Sequence, residues 1–142
     1  MEGISSCDAN SSKKNLCSQG DFFMEFRKQL GNDSETIAQQ YLEQRGYMLI
    51  QANFRCKTGE VDLIMQKENL LVFVEVRSKS SSRYGEPLET VDKTKQDKIR
   101  KAAGYYLYTH PKMAEHYCRF DVVSVLWQND RPQIIWIADA FQ

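Results

Sequence analysis

Two aliphatic, β-branched runs, Gly59-Glu60-Val61-Asp62-Leu63-Ile64-Met65-Gln66 and Leu70-Leu71-Val72-Phe73-Val74-Glu75-Val76-Arg77, are separated only by Lys67-Glu68-Asn69. Their composition predicts strands, and the polar break predicts a tight reversal, so the pair forms a β-hairpin. A two-residue turn between Lys67 and Leu70 and a four-residue turn between Gln66 and Leu71 give the same register. Both set Asp62 opposite Glu75 and Glu60 opposite Arg77. Side chains alternate along a strand, so the two carboxylates leave one face with Cβ atoms roughly 4.5–5.5 Å apart.

Like charges directly opposed in a sheet repel, and such a pair calls for a cation, a shared proton or a basic neighbour. A hard divalent cation with oxygen ligands answers that need. So does a local ion network of Glu60, Asp62, Glu75 and Arg77. Spacing alone leaves both open.

With 142 residues, 42% of them hydrophobic, the chain suffices for one domain with a core and is short for two. Nineteen basic residues balance nineteen acidic ones, so no overall field announces a nucleic-acid or membrane partner, and local charge must decide. Cys7, Cys17, Cys56 and Cys118 make no Cys-x-x-Cys pair and no zinc spacing with His110 or His116. With no secretory signal in view, free thiols and a cytoplasmic location are expected. No apolar run reaches the roughly 20 residues that span a bilayer, so no membrane partner is expected.

Along the chain, residues 1–30 form a polar tail, predicted to be disordered, which ends in the aromatic cluster Phe22, Phe23, Met24 and Phe26. That cluster packs back on the domain or against another subunit, which makes a homodimer one of the options. Residues 31–142 form the domain. Ile37, Ala38, Tyr41 and Leu42 have helical spacing after Asn32-Asp33-Ser34, and Arg45-Gly46 ends the pattern. Glu35 borders the buried stripe of this helix, and Asn32-x-x-Glu35 also matches a capping box.

Tyr47 to Phe54 reads as a strand that completes an antiparallel meander with the hairpin. Arg77 to Gly85 reads as a basic, Ser-rich loop suited to phosphate contact. A second helix is predicted from Glu89 to about Tyr108, burying Ile99, Ala102, Ala103, Tyr106 and Leu107 and turning Gln96 toward the sheet. Lys93, Lys95, Lys98, Arg100 and Lys101 ring its other face, either as solvated charge or as a nucleic-acid surface. Strands at Arg119–Leu126 and Ile134–Ile137 follow a turn apart. The resulting α-β-β-β-α-β-β order fits an α/β fold with a mixed five-stranded sheet flanked by helices.

The chain resembles the YraN family of small bacterial proteins, whose fold is similar to Holliday-junction resolvases and other restriction-endonuclease-like PD-(D/E)XK nucleases. The resemblance runs over roughly residues 31–142. It is carried by Glu35-x-x-Ala38-x-x-Tyr41-Leu42, Gly46-Tyr47, Asn53-Phe54-Arg55, Gly59-Glu60-Val61-Asp62-Leu63-Ile64, Val72-Phe73-Val74-Glu75-Val76-Arg77, Lys95-Gln96, Arg119-Phe120-Asp121-Val122-Val123 and Ala140-Phe141. It implies Asp62 and Glu75 as ligands of Mg²⁺ or Mn²⁺, Glu35 as a further metal-site acid, and Gln96 as an active-site amide. It also implies DNA, branched DNA included, as the partner; from charge placement, Arg77, Lys79 and Arg83 of the basic loop and Lys93, Lys95 and Lys98 of the second helix are the candidate contacts.

One departure bears on chemistry. Arg77 stands where the nuclease pattern has Lys, and a guanidinium that stays protonated cannot serve as a base, although it suits phosphate oxygens. Lys79, two residues on, shares its strand parity and is the alternative cation. Three readings follow: a metal-dependent nuclease, a catalytically silent nucleic-acid-binding module, and an interaction protein that docks through its aromatic N-terminal cluster.

Overall fold

The computed structural model describes residues 30–80 and 91–142. The elements are α1 (Leu30–Glu43), β1 (Met48–Cys56), β2 (Gly59–Lys67), β3 (Leu70–Ser80), α2 (Lys93–Thr109), a single 3₁₀ turn (Met113–Glu115), β4 (Tyr117–Gln128) and β5 (Arg131–Phe141). The expected order of one helix, three strands, a second helix and two strands is the observed one. The aromatic N-terminal cluster, Arg83 and Glu89 lie outside the described residues.

The five strands lie in sequence order across one sheet. The β1–β2, β2–β3 and β4–β5 pairs are antiparallel, whereas β3 and β4 run parallel, because the chain crosses from one to the other through α2. The β2–β3 turn has two residues, Glu68 at φ 54° and Asn69, as the hairpin reading requires.

β3 is the central strand, and alternate side chains feed two cores. Leu71 and Phe73 join Ile64, Phe54 and the α2 residues Ile99, Ala102, Ala103 and Tyr106. Val72 and Val74 join Leu63, Met65, Val123 and the α1 residues Ala38 and Leu42. Tyr106 stands edge-on to Phe54 at 5.2 Å and to Phe73 at 6.2 Å, locking α2 to the sheet.

Strands β1, β4 and β5 run beyond their expected ends, and three further differences bear on the candidate site residues. α1 is already helical at Leu30, so Asn32 lies inside the helix and not at its start. α2 begins at Lys93, because Asp92 adopts an extended conformation and its carboxylate accepts the Lys95 amide at 2.8 Å. The stretch from Arg77 to Ser80 is strand and not loop, since β4 offers it a parallel partner as far as Trp127. The end of α1 is as expected: Gly46 takes φ 94°, the Tyr47 amide reaches Leu42 O and the Gly46 amide reaches Glu43 O.

The β4–β5 pair is pinned by a buried charge. Asp121 is fully buried, receives both Nε and a terminal nitrogen of Arg119 at 2.8 Å, and accepts the Trp136 indole and the Asp139 amide at 2.9 Å. Arg119 also donates to the Tyr47 hydroxyl, tying the sheet to the end of α1. Those donors satisfy the carboxylate and span the register shift between Phe120 and Val122.

Two stability predictions follow from this packing. A Cβ on Gly59 would overlap the Lys98 carbonyl oxygen and come within 2.8 Å of its carbon. Gly59→Ala therefore lowers stability by about 1–3 kcal/mol in urea denaturation, by forcing the β1–β2 turn off α2. Asp121→Ala leaves Arg119 and two further donors without their acceptor and costs about 3–5 kcal/mol in the same measurement. A loss below 1 kcal/mol would show that β4 and β5 hold without it.

Candidate functional site

The β2–β3 ladder runs from Lys67↔Leu70 to Leu63↔Val74 and stops there, while β3 continues against β4 for its whole length. Asp62 and Glu75 are the next residues on each strand. In place of a continued ladder, Asp62 Oδ2 accepts the Val76 amide at 2.8 Å. Across β1, Asn53 lies opposite Asp62, between the pairs Ala52↔Leu63 and Phe54↔Val61, and has φ 54°. Side-chain alternation breaks at the same place, because Val61 belongs to the α2-side core and Leu63 to the α1-side core. Asp62 thus sits where the sheet is locally opened and can be reached from both helices.

Four charged groups meet around it. Burial and then the Asp62 charge push the Glu75 carboxyl up to about 8, and a hydrogen bond to Asp62 favours its protonated form. Lys95 pulls in the other direction, with a smaller effect of Arg77. Asp62 is raised by burial, against the opposing pull of the Val76 amide, the hydrogen bond from Glu75 and the Lys95 charge. Glu35, projecting from α1, is raised by burial and by Asp62, and a hydrogen bond from the Asn53 side chain works the opposite way. Burial thus favours the protonated form at both acids, and the hydrogen bond between them runs from Glu75 to Asp62.

Lys95 from α2 reaches the cluster, with its Nζ 3.9 Å from both Glu75 Oε2 and Glu60 Oε2. Glu60 is not matched with Arg77 as the extrapolated register would have it, because the ladder has already ended. It bonds instead to Arg55 at 3.3 Å and to Lys95.

Of the residues singled out in the sequence, Glu35, Asp62 and Glu75 come together, and Arg77 acts on Glu75. Gln96 turns elsewhere: its amide donates to Val91 O at 2.7 Å and its oxygen accepts from Arg100 at 2.9 Å, so it braces the start of α2. Lys79 lies on β3 opposite Leu126, and Lys93 opens α2. Lys98, on the next turn of α2 after Lys95, lines a cavity of about 310 Å³ together with Lys95, Glu60 and the β1–β2 turn. The sequence by itself gave no role to Asn53 and left Lys95 as solvated charge or a nucleic-acid contact. Asn is the side chain best suited to a positive φ after Gly, which was the available signal at position 53.

Among the described residues no three His, Cys, Asp or Glu side chains form a ready metal cage. The oxygens are offered by a carboxylate pair with Glu35 beside it, and that suits a small hard cation such as Mg²⁺, which keeps several waters and takes one or two carboxylates. His110 and His116 take no part: His110 stacks on Tyr106 at 4.0 Å, and His116 contacts Gln66 at 2.9 Å. No helix among the described residues is long and apolar enough to cross a membrane.

Comparison with known proteins places this arrangement in a family. The model of the "Uncharacterised protein family UPF0102" matches residues 34–125, from the start of the α1 core through β4. The chain belongs to the UPF0102 family. It is 42% identical over 119 residues to a UPF0102 protein of Clostridium kluyveri, covering 82% of this chain and 97% of the relative. A UPF0102 protein of Stutzerimonas stutzeri is 40% identical over 112 residues, covering 79% and 93% respectively. One from Ectopseudomonas mendocina is 42% identical over 118 residues, covering 83% and 98%. This UPF0102 match agrees with the YraN resemblance read from the motifs.

The raised Glu75 carboxyl has a pH signature. An acid whose folded pKa exceeds its unfolded value binds more protons when folded. Its contribution is neutral below about 4.5, and stability is then lost as pH rises toward 8. Glu75→Gln removes that loss, so the variant equals wild type near pH 4 and exceeds it by up to roughly 5 kcal/mol at pH 9 in urea denaturation. An equal difference at both pH values would show that Glu75 does not carry the proton.

Proposed function

We propose that this chain is a divalent-metal-dependent, nuclease-like protein that acts on DNA, branched DNA included, with Asp62 and Glu75 as the metal ligands. The observation that carries the reading is the carboxylate pair at the end of the β2–β3 ladder, flanked by Glu35 from α1 and Lys95 from α2. The resemblance to restriction-endonuclease-like nucleases supports the same assignment, on the positions that match.

In this reading Asp62, oriented by the Val76 amide, and Glu75 hold Mg²⁺ or Mn²⁺, and Glu35 orients a water beside them. The bound ion lowers the pKa of its water and offsets negative charge on the scissile phosphate. Deprotonating Glu75 is a condition for occupancy, so affinity rises with pH. Arg77 grips the phosphate and stabilises developing charge without taking a proton. Lys95, which borders both the acids and the adjoining positive cavity, would be within reach of the substrate phosphate.

The catalytically silent nucleic-acid-binding module is the second reading. Two observations favour it: Arg77 occupies the position of the usual Lys, and Lys95 already serves as counter-ion to Glu75.

Cleavage of end-labelled single-stranded, duplex, flap and four-way-junction DNA with and without Mn²⁺, for wild type and Asp62→Asn, separates the two. A nuclease cuts at least one substrate only with Mn²⁺, and Asp62→Asn loses the cut. Mn²⁺ at about a hundredfold over its Kd also stabilises wild type by about 2.7 kcal/mol and leaves Asp62→Asn unchanged. Intact binding without cutting, in both proteins, selects the silent module.

A further inference from the structure

The β1–β2 turn packs on α2 through Gly59, and its two sides open into adjoining cavities. One, of about 310 Å³, is lined by Arg55, Lys57, Lys95 and Lys98, with Glu60 as its acidic member. The other, of about 520 Å³, shares Arg55 and Lys57 and ends on Tyr105. Arg55, Lys57 and Lys98 are exposed, and four cations against one carboxylate leave the first cavity strongly positive.

Tyr105 is half exposed at 50% while its ring lies nearly parallel to Phe54, 6.3 Å between centroids and 28° between planes. It is an aromatic platform backed by core and open on its other side. Lys95 belongs both to the cavity and to the acid cluster, so the positive track leads from Tyr105, past the turn, to Asp62 and Glu75.

We infer that this track is a groove for single-stranded nucleic acid, with phosphates on Arg55, Lys57, Lys95 and Lys98 and a base stacked on Tyr105, leading the strand to the carboxylate pair. A positive channel combined with an exposed aromatic face is what an unpaired strand requires, since its bases are free to stack. A duplex keeps its bases in its own stack and gains nothing from Tyr105. The inference rests on the nucleic-acid reading given under Proposed function and adds the strand form and the path.

Fluorescence anisotropy with a labelled single-stranded oligonucleotide and its duplex, titrated at several salt concentrations, tests it in the full chain. Wild type binds the single strand at least fivefold more tightly than the duplex. Arg55→Gln/Lys57→Gln, which alters only exposed side chains, weakens single-strand binding about tenfold. It also flattens the slope of log affinity against log salt by about 1.4, the value for two lost phosphate contacts.

Tyr105→Ala weakens binding about tenfold with the salt slope unchanged, and Tyr105→Phe, which keeps the ring on Phe54, binds as wild type. Asp62→Asn retains binding. Wild-type affinity in the Arg55/Lys57 variant, or equal affinity for duplex and single strand, overturns the groove and leaves the nuclease reading in place. A wild-type protein that binds no oligonucleotide overturns both.

Discussion

The parallel ladder between β3 and β4, unbroken from Leu70↔Tyr117 to Ser80↔Trp127, is the interaction on which the rest depends. It holds β3 by one edge along its entire length, so β2 can leave the other edge after Leu63↔Val74 without freeing the strand. A sheet of uniform ladders would bury the backbone between β2 and β3 and leave no room for acids. Here the β2–β3 pairing ends early, and the Asp62 carboxylate takes up the Val76 amide that the lost ladder leaves on β3. The Asp62 carboxylate is itself the local repair of the sheet.

The same opening explains the electrostatics. Glu35, Asp62 and Glu75 are drawn from three elements into a partly buried space, where burial raises all three carboxyls and the Asp62 charge raises Glu35 and Glu75 further. Lys95 compensates only in part, 3.9 Å from Glu75 and shared with Glu60. Asp121 shows the opposite solution to burying a carboxylate: it is deeper, yet Arg119, Trp136 and the Asp139 amide satisfy it completely. A fully satisfied acid pins two strands together. The incompletely compensated pair is instead held above the ordinary carboxylate range by its burial.

α2 serves both sides of this arrangement. Its apolar stripe of Ile99, Ala102, Ala103 and Tyr106 anchors it to the sheet, and Gly59 lets the β1–β2 turn approach its backbone closely. That approach brings Arg55 and Lys57 beside Lys95 and Lys98, residues some 40 positions apart in sequence. A neutral chain thereby gains a concentrated positive face next to its acids. Gln96, which also lies on α2, bonds Val91 and Arg100 and steadies the start of the helix.

Much of this was written in local sequence. The apolar periods of 2 and 3.6, Gly46 at the end of α1 and the polar Glu68-Asn69 turn fixed the elements and the register that brings Asp62 to Glu75, because those signals act over a few residues. Three things were decided only by the tertiary structure: that Arg77 to Ser80 is strand, that Glu60 bonds Arg55 and Lys95 and not Arg77, and that Lys95 is the cation at the acids. Each depends on a partner distant in sequence: β4 for the first, the end of the β2–β3 ladder for the second, and the docking of α2 on the β1–β2 turn for the third. Hydrophobic spacing says which face of an element is buried. Which charged groups meet at its edge depends on how the elements are placed against one another, and no local period encodes that.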